Sequence, residues 1–188
     1  TRGSGPVFKL KSFYDRSKLW AGAAYEVFEQ SVYDIEGAIN FLKNRGYERF
    51  ILCGHSTGAQ KVLNFGIQKS REDVIGFVFL GPGDDLNLLR DRYIENFDEV
   101  FEKASECYDS KVLFAIPEIG YYSSKRFCDL TEEDSVEGSL FNYKGNLSHI
   151  KKIDKPILTV FGKDEQHALI PVEEMIEKIL QNCAGEKS

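Results

Sequence analysis

Sulfur and imidazole are scarce in this chain. Its 188 residues include four cysteines, one methionine and three histidines. Cys53, Cys107, Cys128 and Cys183 stand far apart, with no Cys-x-x-Cys and no paired histidines. That spacing excludes the usual zinc sites and a disulfide framework, so reduced thiols, a cytoplasmic location and neither metal nor cofactor are expected. Long apolar runs are missing too: nothing approaches the roughly 20 uninterrupted residues of a membrane-spanning helix. No signal-peptide pattern opens the chain, which begins Thr1-Arg2-Gly3-Ser4-Gly5. There is no excess of basic residues either. The 24 Lys and Arg against 30 Asp and Glu give a net charge of −6, the wrong sign for a nucleic-acid-binding surface.

What is present suits one α/β domain. The length fits a single unit, and a 42% hydrophobic fraction is enough for a core. Pro6–Lys11 alternates weakly and could be a short strand. From about Tyr25 to Arg45, Phe28, Val32, Ile35, Ile39 and Leu42 recur at helical spacing, and Gly46 supplies a stop. Arg49–Gly54 reads as a strand and Thr57–Lys69 as a helix. Asp73–Leu80 and Pro156–Gly162 are continuous apolar runs, the pattern of parallel strands buried on both faces. Asp84 to about Asp109 reads as one long amphipathic helix. A further short helix is expected near Leu147–Lys151, and Pro171 opens a last helix through Leu180. This order predicts a parallel sheet with helices on its faces.

The most informative stretch is Cys53-Gly54-His55-Ser56-Thr57-Gly58-Ala59-Gln60. A strand runs into Gly-x-Ser-x-Gly, and a helix follows at once. A serine hydroxyl is a weak nucleophile that must project toward a base and an electrophile. A one-residue turn from strand to helix presents it, at the cost of backbone strain. Gly54 and Gly58 are expected to remove the Cβ atoms that would clash at such a turn. The helix that follows aims its unpaired N–H groups and positive dipole end at the same point. This segment resembles the nucleophile elbow of the α/β-hydrolase superfamily, and in particular small soluble serine esterases with Gly-His-Ser-Thr-Gly. The resemblance implies an α/β-hydrolase fold, Ser56 as nucleophile, Thr57 N–H in the oxyanion hole, and a small ester or acyl substrate.

In that fold the triad order is Ser, acid, His. Asp164, just past the third apolar strand, occupies the acid's place, with Glu165 the secondary candidate. Ligands bind outside the carboxyl ends of such strands, the rim that also carries Ser56. Residues 84–154 are too long for a simple connection and resemble the superfamily's lid. Tyr93, Phe97, Phe101, Phe114, Tyr121, Tyr122, Phe127 and Phe141 could line a pocket there, though most are expected to be lid core. A base is harder to place. His55 lies inside the elbow with its side chain expected to point away, and His149 is expected at the opposite end of the sheet. His167 shares a loop with Asp164 and is the substitute. In the superfamily the base follows one further helix and strand. The resemblance covers only the middle of the family's domain, so a portion of a longer chain is expected, with base and second oxyanion donor outside it. Two other readings remain: a ligand- or partner-binding protein on the same fold that lacks a base, and an acyl transferase or lyase.

Overall fold

The computed structural model describes residues 5–12, 15–109, 111–116, 119–132 and 134–183. Residues 1–4 and 184–188, the two ends of the sequence, lie outside these. The chain opens with an antiparallel hairpin, β1 (Phe8–Lys11) against β2 (Lys18–Ala21). Two 3-10 turns follow, Ala23–Tyr25 and Phe28–Gln30, and the helix proper, α1, runs Ser31–Lys43. The helical spacing therefore begins later than Tyr25. Glu26 and Val27 are extended, and Glu26 is held by Lys61 at 2.6 Å. Gly46, at φ 90°, turns the chain after α1.

The central sheet is parallel, in the order β3 (Phe50–His55), β4 (Val74–Leu80), β7 (Ile157–Val160). Between β3 and β4 runs α2 (Thr57–Gln68). Its buried Ala59, Val62, Leu63 and Phe65 face the inward residues Phe50, Phe77 and Phe79 of the strands. Each fully buried Leu or Phe here contributes roughly 1.5–3 kcal/mol. α7 (Val172–Asn182) begins after Pro171 and adds Met175 and Ile179 to the same core.

The strands are not covered on both faces as their continuous hydrophobicity suggested. Register aligns Cys53 with Val78 and Val78 with Leu158, and likewise His55, Leu80 and Val160. On this second face Ile51 is 61% exposed and Leu158 57%. Helical cover lies on the Phe77–Phe79 side among the described residues.

Residues 84–154 enter between β4 and β7. They comprise α3 (Asp85–Leu88), a π-turn (Leu89–Tyr93), α4 (Phe97–Glu106), the hairpin β5 (Leu113–Ile116)–β6 (Gly120–Ser123), α5 (Ser124–Thr131), α6 (Val136–Leu140) and a 3-10 turn, Ile150–Lys152. The single long helix expected over 84–109 is thus broken. Ile94 is extended (φ −126°, ψ 100°) and Asn96 is non-helical (φ −112°, ψ 56°), in keeping with the weak helix preference of β-branched and Asn residues. Leu89, Phe97, Ile116, Phe127 and Leu130 close a second apolar core, with Phe101 and Phe114 packed against it.

Candidate active site

The turn after β3 is as tight as its sequence suggested. Ser56 has φ 53° and ψ −129°, one of two non-glycine residues with positive φ among those described. Such a conformation costs on the order of 1–3 kcal/mol and persists only where its surroundings impose it. Ser56 N–H donates to Leu80 O at 3.0 Å, and Ser56 O accepts from Ala59 N–H at 2.8 Å. The serine is therefore pinned between β4 and the first turn of α2. The two motif glycines differ. A Cβ on Gly54 would meet Gly58 O at 2.1 Å and Ala59 N at 2.6 Å, whereas one on Gly58 would meet nothing within 4 Å. Only Gly54 is required by contact, because α2 crosses directly over it. Thr57 is the first residue of α2, and its N–H is one of the four that a helix leaves without an intrahelical partner.

Ser56 opens onto a cavity of about 360 Å³ at the carboxyl ends of the strands. Its walls come from separate elements: Gly81, Pro82 and Gly83 after β4, Leu88 and Leu89 from the inserted segment, and Met175 from α7. The loop after β4 is fixed from behind by Asp84. This buried carboxylate caps α3 through Asn87 N–H (3.2 Å) and also accepts from Asn87 Nδ2 (2.8 Å) and Tyr143 N–H (2.9 Å). Tyr143 Oη–H completes the brace by donating to Pro82 O at 3.0 Å.

Of the two acid candidates, Asp164 is exposed, while Glu165 lines the cavity. Glu165 Oε2 stands 3.4 Å from where a Cβ on Gly81 would lie, so its carboxylate crosses toward the loop after β4. Glu165 Oε1 accepts His167 N–H at 3.3 Å. His167 lines the same cavity, and its Nδ1 shares a 2.7 Å hydrogen bond with Tyr93 Oη. His55 is also among the lining residues. His149 precedes the 3-10 turn Ile150–Lys152, whose Lys152 borders a separate cavity beside Val74 at the opposite end of β4. Burial and Lys152 lower its pKa. Among the described residues no hydrogen bond joins Ser56 Oγ to a histidine. Of the aromatic residues expected to line a pocket, Tyr93 and Tyr122 do so. Phe97, Phe101, Phe114 and Phe127 belong to the second core, Phe141 belongs to the main one, and Tyr121 is exposed.

Sequence reasoning missed Asp85. It lines the cavity beside Ser56 and accepts Thr57 Oγ1–H at 3.0 Å. Burial raises its pKa, opposed by the Thr57 hydroxyl, Arg126, Gln60 and Lys61. Behind it lies an ion pair in which Arg126 Nη2–H donates to Glu137 Oε1 at 2.7 Å and Nη1 stands 2.6 Å from Oε2, both residues almost fully buried. The signal was available: Asp85 follows Gly81-Pro82-Gly83 at the end of β4, the same rim that led to Asp164.

The parallel sheet, the helix crossing from β3 to β4 and the strained serine between them make this an α/β-hydrolase fold. A solved structure that the chain resembles is a soluble variant of monoglyceride lipase from Saccharomyces cerevisiae in complex with a substrate analogue. The match has a TM-score of 0.53 and 20% identity over 85% of this chain and 56% of that one. The chain thus spans little more than half the length of its structural neighbour. No family model matches the chain, and no curated protein matches it. No helix among the described residues is long and apolar enough to cross a membrane.

Proposed function

We propose that the chain carries the nucleophile of a serine hydrolase that cleaves carboxylic esters or related acyl substrates. The observation that carries this reading is Ser56 itself, held at positive φ between strand and helix and opening onto a cavity. In the reaction, Ser56 Oγ attacks the acyl carbon while its proton passes to a base. Thr57 N–H stabilises the oxyanion, and the alcohol leaves with a proton as the acyl-enzyme forms. Water then reverses the sequence and releases the acid. The acid of the triad is Asp164, or Glu165, whose carboxylate faces the cavity. The candidate base already in the cavity is His167. Residues 84–154 serve as the lid. The lipase neighbour supports an ester substrate.

A second reading, a ligand-binding protein that lacks a base, draws on the observation that among the described residues no hydrogen bond joins Ser56 Oγ to a histidine. An alkyl fluorophosphonate separates the two. An activated Ser56 is labelled, and Ser56→Ala is not; turnover of p-nitrophenyl esters falls by on the order of 10⁴ to 10⁶ in that variant. Intact-mass analysis that finds no adduct on the wild-type chain, or one elsewhere than Ser56, overturns the hydrolase reading.

A further inference from the structure

The cavity beside Ser56 is sided by charge. Two carboxylates line it, Asp85 and Glu165, and no lysine or arginine does so among the described lining residues. The cations whose charge reaches Asp85 are Arg126 and Lys61. Each already has its own acid. Arg126 is held in the ion pair with Glu137, and Lys61 meets Glu26 at 2.6 Å. Arg92, near the rim, donates Nη1–H to Gln166 O. An incoming anion would therefore find, among the described residues that line the cavity, no guanidinium or ammonium to receive it. A donor or a cation would find Asp85, oriented by Thr57 Oγ1. The buried Gln60 behind this wall donates Nε2–H to Gly83 O at 3.3 Å, fixing the loop that faces Asp85.

We propose that this cavity selects its ligand by charge, taking neutral or cationic acyl compounds and rejecting anionic ones, with Asp85 as the specificity-determining residue. The inference rests on the serine-hydrolase reading for the word acyl, but the charge selection itself does not need a reactive serine. Charges in a low-dielectric cleft interact far more strongly than in water. It bears on the acyl-transferase alternative, because acyl donors built on phosphate or carboxylate carriers are the class this wall disfavours.

The test uses three fluorophosphonates of equal chain length, ending in methyl, trimethylammonium or carboxylate, at low ionic strength. Labelling of the wild-type chain is expected to be at least about tenfold slower for the carboxylate probe than for the other two. Asp85→Asn, which keeps an acceptor for Thr57, narrows the gap, and Asp85→Lys reverses it. In parallel, equilibrium binding of the matching unreactive alkyl alcohol, alkyltrimethylammonium and alkyl carboxylate is measured on Ser56→Ala. If no probe labels Ser56 yet the carboxylate binds least, the hydrolase reading fails and charge selection stands. If the three ligands bind alike, if none binds, or if Asp85→Asn and Glu165→Gln leave the ratio unchanged, charge selection is wrong whatever the labelling shows.

Discussion

At Gly54 and Gly58 a methyl group has opposite consequences, although both belong to one five-residue motif. Alanine at Gly54 would drive Cβ to 2.1 Å from a backbone oxygen, which neither β3 nor α2 can absorb by rotating a side chain. A loss of about 3 kcal/mol or more is expected, at the upper end of overpacking costs. Alanine at Gly58 meets open space and removes a flexible residue from the first turn of a helix, so stability should be unchanged or up to about 1 kcal/mol higher. Urea denaturation of the two single variants checks both signs. Gly58→Ala should also retain any fluorophosphonate labelling that the wild-type chain shows. The sequence motif treats the two glycines alike; which of them is touched depends on where α2 crosses β3.

Among the elements, the regular ones were the legible ones. β3, α2, β4, β7 and α7 follow from uninterrupted apolar runs, a serine-bearing turn and a proline at a helix start, and each falls within one or two residues of its expected bounds. The inserted segment was not legible in the same way. Its apolar residues keep helical spacing straight through Ile94–Asn96, where the backbone is extended. Spacing records which side of the chain is apolar and says little about where hydrogen bonding stops. The site divided similarly. Ser56, Thr57 and the acidic pair Asp164–Glu165 stand in recognisable contexts; Asp85 shares their rim position at the end of β4, but its contact with Thr57 emerges only from the fold. Asp84, its neighbour, is a structural counterpart. Asp84→Ala removes the acceptor for Asn87 Nδ2–H and for Tyr143 N–H within a buried brace. Leaving such donors unpaired costs about 1–3 kcal/mol each. A fall in stability of about 2–4 kcal/mol is therefore expected, with Asp84→Asn intermediate, as read by thermal or urea unfolding.

On the scale of the whole molecule, buried ionisable groups make stability depend on pH. Burial pushes the Glu137 carboxyl up to about 7, with Arg126 opposing the shift. A carboxyl whose folded pKa is raised binds its proton more tightly when folded. Its contribution is thus fully present below the ordinary value of 4.5 and is lost as pH rises through about 7. The change amounts to up to about 3 kcal/mol. Unfolding free energy should decline between pH 4.5 and 7, and Glu137→Gln should flatten that decline, whatever its effect on absolute stability. Equal slopes in the two proteins would remove Glu137 as the source.

The second face of the sheet gives the molecule an awkward colloidal character. Ile51, Cys53, Leu158 and Val160 form an apolar plate on a body that carries a net charge of −6. Two such bodies are kept apart by their like charge and drawn together by their plates. The first influence reaches about 30 Å at 0.01 M salt but only about 3 Å at 1 M. The plates themselves are indifferent to that screening, and sulfate strengthens them. Added salt therefore tips the balance toward clumping, and dilute buffer tips it back.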